Sequence, residues 1–135
     1  MTDARLLGRP PVTIVIAAVS LALEGLLGLG YGGVALDQVR MSRAVVGVGV
    51  AILMAGFGIS LLLVARGVFM GRRWSRGPAV VAQLILLPIA WSFRGGGTTW
   101  ISVTLAVLAI AVLVGVLHPR STAVFVGPPA DKTQP

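Results

Sequence analysis

Long apolar runs alternate with short charged interruptions along this chain. Between Val12 and Ala35, VTIVIAAVSLALEGLLGLGYGGVA carries a single charge, Glu24. The polar stretch LDQVRMSR separates it from AVVGVGVAILMAGFGISLLLVA, which begins at Ala44 and ends at Ala65. RGVFMGRRWSRG comes next, followed by PAVVAQLILLPIAWSF, the turn-like RGGGTT and WISVTLAVLAIAVLVGVL. A hydrocarbon core of roughly 30 Å is crossed at roughly 1.5 Å per residue, so a span needs about 20 mostly apolar residues. Four runs meet or approach that length, the third being shortest. None alternates apolar and polar residues at period two, as barrel strands do, and no internal repeat is visible. Short connections make successive helices antiparallel neighbours. The pattern therefore predicts an all-α transmembrane bundle of four antiparallel helices, with spans near 12–35, 44–65, 76–93 and 99–117 inside a domain covering 12–118. Residues 1–11 form a short leading segment. The tail 119–135 is rich in proline and polar residues, and its end is expected to be disordered. The basic ARLLGR and the GVA ending at Ala35 imitate a secretory signal, but so long an apolar stretch bearing an acid reads as an uncleaved span.

Composition sharpens this reading. The chain has 135 residues, 56% hydrophobic and only 11% charged, with a mean hydropathy of +0.97. Soluble domains are about a quarter charged, so this chain could not cover its surface in water. Cysteine is absent, which removes disulfides, thiolate nucleophiles and sulfur ligands. A single histidine, His118, cannot build a metal or haem site by itself. No catalytic, cofactor-binding or metal residue is expected, and the chain reads as non-enzymatic, because a lipid-processing site would need several polar groups converging at one interface.

The formal charge of +7 is read as a topology signal and not as a footprint for nucleic acid. If four helices alternate, Arg5, Arg9, Arg66, Arg72, Arg73, Arg76, Arg120 and Lys132 share one side, and Arg40, Arg43 and Arg94 the other. The positive-inside rule then puts both termini in the cytoplasm and the protein in the plasma membrane. Within GRRWSRGP, Arg72, Arg73 and Arg76 are candidates for anionic lipid headgroups. The more general reading is that they hold the loop inside while Trp74 anchors at the interface. RGGGTTW lacks the ending of a phosphate loop and follows no strand, so it is a flexible turn.

Within the third run, Pro88 removes a backbone donor and should kink the helix, while Gln83 is an interhelical hydrogen-bonding candidate. On the first helix Ala17, Ser20, Glu24, Gly28, Tyr31 and Gly32 recur at spacings of three and four, hence on one face. On the second, Ala51 with Ala55 and Gly56 with Ser60 are spaced for close backbone approach. These faces are expected to pair. Glu24 lies roughly 18 Å into the membrane core, counted at about 1.5 Å per residue, and no basic residue shares its depth. Such an acid is expected to be neutral, because a charge withdrawn from water loses its solvation. Its candidate partners are a backbone carbonyl, Ser20, Tyr31, Trp91, Ser92 and Thr104. An ionisable group inside a membrane is a functional candidate by default. The two readings are a structural clamp and a proton carrier.

LLLVARGVFMGRRWSRGPAVVAQLILLPIAWSF, with the later HPRSTAVF and the arginine-dominated basic residues, resembles uncharacterised small four-helix integral membrane proteins of actinobacteria. That resemblance implies a plasma-membrane location and supplies no activity. The architecture also resembles small multidrug resistance exporters, which carry an essential acid in their first helix. Only Glu24 carries over, and that family's aromatic substrate pattern is missing here. The function expected is a non-enzymatic accessory or interaction protein, with a small proton-coupled transporter using Glu24 as the alternative. Expected partners are the lipid bilayer and either further copies of the chain or other membrane proteins.

Overall fold

A computed structural model describes residues 9–37 and 44–126. Arg5, Arg40, Arg43, Lys132, and the tail from 127 onward lie outside the described residues. Every regular element described is helical: α1 Val12–Asp37, α2 Ala44–Phe69, α3 Arg76–Ser92, α4 Thr99–Leu117 and α5 Pro119–Val126, with short 3-10 turns at Arg73–Ser75 and Gly96–Thr98. Three helical stretches are long and apolar enough to cross a membrane: Val12–Asp37, Ala44–Phe69 and Gly96–Leu117. The third sequence run folds as α3, whose 17 residues reach roughly 25 Å at about 1.5 Å per residue, short of a full crossing.

Local chemistry sets the ends of these helices. Pro10 and Pro11 precede α1, and the Ile14 and Val15 N–H groups donate to the Pro11 carbonyl at 2.9 and 3.2 Å. At the end of α2, Gly71 adopts φ +66°, a conformation that costs a side-chain-bearing residue dearly. The Gly71 N–H donates to Val68 O and the Arg72 N–H to Gly67 O, at 3.0 and 2.9 Å. This is a Schellman stop, which satisfies carbonyls that the helix end would leave bare. The chain then enters α3 through Ser75, fully buried, whose hydroxyl donates to Arg72 O at 2.7 Å. Helix α3 runs through Pro88 to Ser92 without interruption.

The sequence pattern gave no element after His118-Pro119, yet α5 forms there. Proline suits a first helical position, where its missing N–H is not needed. The imidazole Nδ1 of His118 accepts from the Arg120 N–H at 3.3 Å, and the His118 carbonyl accepts from Ser121 and Thr122. His118 is thus the cap that turns the chain from α4 into α5. Phe125 and Ser121 are buried beneath α5, and the Ser121 and Thr13 hydroxyls share a hydrogen bond of 2.7 Å.

Helix α1 packs along α2 and α3 along α4; α1 also packs against α4, and α2 meets α3 over a shorter stretch. The α1–α2 crossing is backbone on backbone. A Cβ at Gly25 would stand 2.8 Å from the Gly58 carbonyl oxygen, and one at Gly58 would stand 2.7 Å from that of Gly25. Small residues permit this approach, which is how helices associate where lipid removes the hydrophobic driving force. Gly32 against Ala51 extends the seam as expected. Gly56 and Ser60 do not belong to it: Gly56 faces open space, and exposed Ser60 donates to its own helix at Gly56 O. The 3.6-residue turn directs Gly58 to α1 and carries Gly56 away. At the α1–α4 crossing, a Cβ at Gly115 would lie 2.6 Å from Thr13 O. The core gathers Ile14, Ala17, Leu21, Leu61, Val68, Ala79, Val112, Val116 and Phe125 at the α5 end of the molecule.

Candidate functional site

Glu24 and Gln83 are the two long polar side chains that the described helices bury. Glu24 sits on α1, one residue before the Gly25 crossing, and is 3% exposed; Gln83, midway along α3, is fully buried. The Gln83 Nε2 group donates to Glu24 Oε2 at 2.8 Å. Helices α1 and α3 share no extended packing face, so this bond ties two helices that otherwise meet their neighbours. The second oxygens of both groups, Glu24 Oε1 and Gln83 Oε1, are buried without a hydrogen-bond partner. Buried polar atoms are nearly always paired, and an unmade bond costs about 1–3 kcal/mol. Each group therefore holds one buried acceptor without a donor.

The other residues expected near Glu24 are elsewhere. Ser20 is buried one turn earlier on α1 but makes no hydrogen bond to the acid. Tyr31 is 58% exposed and does not join the site. Its angular position matches that of Glu24, but beyond Gly25 helix α1 is fully buried only at Gly32, where α2 covers it. Ser92 and Thr104 donate within their own helices, to Ile89 O and Trp100 O. Trp91 is exposed and stacks under the Arg94 guanidinium, 3.8 Å from its ring centroid. The partner of Glu24 is Gln83. Depth could have found it: at about 1.5 Å per residue Glu24 lies about 18 Å from Val12, and Gln83 about 15 Å from Arg73, where the turn leading into α3 begins on the same side.

The basic cluster is built differently from the acid. Arg72 and Arg73 are exposed and Arg76 half-buried in the α2–α3 connection. The Arg73 guanidinium donates to Val126 O at the end of α5, where a cation also suits the negative end of the helix dipole. Arg9, Arg66 and Arg120 stand at this same end of the molecule, and Arg94 at the other. Trp74, half exposed, lies with its ring edge against Gly67 of α2. Among the described residues no three histidines, cysteines or acids lie together as a metal cluster would require.

This fold and this site define the class: a helical membrane protein in which, among the described residues, one acid is deeply buried and tied to an amide of another helix. No family model, curated protein or solved structure matches the chain.

Proposed function

We propose that the chain is a four-helix, antiparallel transmembrane bundle of the bacterial plasma membrane, with both termini in the cytoplasm, acting as a non-enzymatic accessory or interaction protein. The observation that carries this reading is the Gln83–Glu24 bond. The one acid inside the bundle is engaged in holding helices together, as a structural clamp would be. The seam from Gly25–Gly58 to Gly32–Ala51 supports α1 and α2 running in opposite directions. Extension of α3 by the Arg73–Ser75 turn lengthens it towards a full crossing. The arginines at the α5 end support a cytoplasmic location for that end. The resemblance to actinobacterial four-helix membrane proteins agrees with this location.

Two experiments test the reading. Reporters fused after Gly8, after Arg73 and at the C-terminus should all report cytoplasm, and reporters in LDQVRMSR or RGGGTT the outer side. A C-terminal fusion found outside would mean that one of the four spans does not cross, the short α3 being the first to check. Purification in mild detergent should recover stable heteromeric membrane partners; a clean homodimer would favour a transporter. The unpartnered oxygens of Glu24 and Gln83 are what favour that second reading, a small proton-coupled exporter. It requires proton release on binding a cationic substrate, abolished in Glu24→Gln.

A further inference from the structure

We propose that Glu24 and Gln83 form a buried site for one proton, in which the acid and the amide close a two-bond ring between α1 and α3. Donors and acceptors must match in a buried polar pair. A primary amide offers two N–H donors and a carbonyl acceptor; an ionised carboxylate offers acceptors alone. The amide already donates to Glu24 Oε2 at 2.8 Å. The acceptors that remain are one oxygen on each side, Glu24 Oε1 and Gln83 Oε1, both buried and both unpartnered, so the second N–H of Gln83 Nε2 reaches neither. Two acceptors cannot bond each other. A single proton on Glu24 Oε1 turns that oxygen into a donor to Gln83 Oε1, and one proton thereby satisfies both. The product is an eight-membered ring of one O–H···O and one N–H···O bond, with no net charge. An ionised Glu24 would leave the Gln83 carbonyl opposed to a negative oxygen.

Among the described residues no other titratable group stands close enough to supply that donor. On α1 the other titratable groups are Tyr31 and Asp37, both exposed and towards the far end. Helix α2 carries only Arg66, exposed in its last turn, α3 only Arg76 at its first residue, and α4 none. His118 and Arg120 belong to the α4–α5 corner, where the imidazole Nδ1 accepts from the Arg120 backbone N–H. The proton therefore belongs to the pair, and it is the element that makes the α1–α3 tie complete. Taking the proton away removes one bond of this α1–α3 tie and leaves the α1–α4 packing that also joins the two helix pairs.

The inference rests on the membrane-bundle reading, and the two fail separately: reporters test the threading, whereas vibrational spectra test the proton. Full-length protein is reconstituted into phosphatidylcholine vesicles at neutral pH, and infrared spectra of wild type and Glu24→Gln are subtracted. The difference should contain the C=O stretch of a protonated carboxyl group, sensitive to deuterium and lost in the variant. It should be the same in sodium, potassium or choline buffer. Gln83→Met, which keeps the chain length and removes the amide, should retain the band and move it to higher frequency. Where that variant does not insert, Gln83→Asn withdraws the amide by one methylene and should move the band in the same direction. A carboxylate stretch in place of the acid band would overturn the proposal, and dependence of that stretch on sodium would assign the oxygens to a metal cation. A band unmoved by either Gln83 variant would overturn the ring.

Discussion

Glu24 and Gln83 carry the sharpest predictions at the scale of single residues. Glu24→Gln can rebuild the ring without a titratable group. The new amide donates to Gln83 Oε1 and accepts from Gln83 Nε2, so the protein should unfold in detergent close to the wild-type midpoint. Glu24→Leu should be less stable despite its better solubility in lipid, because it strands a fully buried amide. Hydrogen bonds between membrane helices average about 0.6 kcal/mol and reach about 1.7, so thermal unfolding should show a partial loss and not collapse. Both members of the pair were legible in the sequence as isolated polar interruptions. Their pairing was not, because a hydrogen bond depends on depth and helix rotation together, and one residue of rotation turns a side chain by about 100° at 3.6 residues per turn.

Elements are positioned by close backbone contacts that add no polar signal to the sequence. Gly25→Ala and Gly58→Ala each drive a methyl group into the opposing carbonyl. Each should destabilise the α1–α2 pair by about 1–3 kcal/mol, the usual range for overpacking. Gly30→Ala and Gly56→Ala meet open space, so the same measurement should find them neutral or slightly stabilising, since alanine favours a helix by about 1 kcal/mol over glycine. Helix α5 offers a test that exploits the absence of cysteine. A single thiol introduced as Ser121→Cys lies where the native side chain is fully buried, and should react slowly with a maleimide. Adding Phe125→Ala removes the apolar anchor of α5 and should accelerate that reaction. Equal rates in the two proteins would show that α5 is not docked.

At the scale of the whole molecule, charge asymmetry decides orientation. Replacing Arg72, Arg73 and Arg76 together with glutamine should invert a fraction of C-terminal reporters, because the α2–α3 connection then loses its inside signal. Unchanged orientation with lost binding to anionic vesicles would instead assign the cluster to lipid headgroups. Arg73 also donates to the end of α5, so Arg73→Gln alone should speed labelling at Ser121→Cys without altering threading. The two readouts separate the local role of this arginine from the collective one.

What the sequence determined by itself is the number of apolar runs, their helical character, their bounds to within a few residues and the uneven distribution of arginine. Those follow from run length and from the need of every backbone group in lipid for an internal partner. Helix rotation was only partly legible. The spacing rule correctly turned Gly32 and Ala51 towards the α1–α2 seam, but it placed Gly56 there in place of Gly58, and it grouped exposed Tyr31 with buried Glu24. A helix apolar on all sides has no amphipathic stripe to reveal its inner face, and α4 is the extreme case, without a charged residue from Thr99 to Leu117. Helix α5 escaped for a different reason: its stability comes from Phe125 and Ser121 docking against distant parts of the chain, and eight residues seldom hold a helix alone. Only tertiary packing, by bringing two solitary polar residues 59 positions apart within 2.8 Å, created the site.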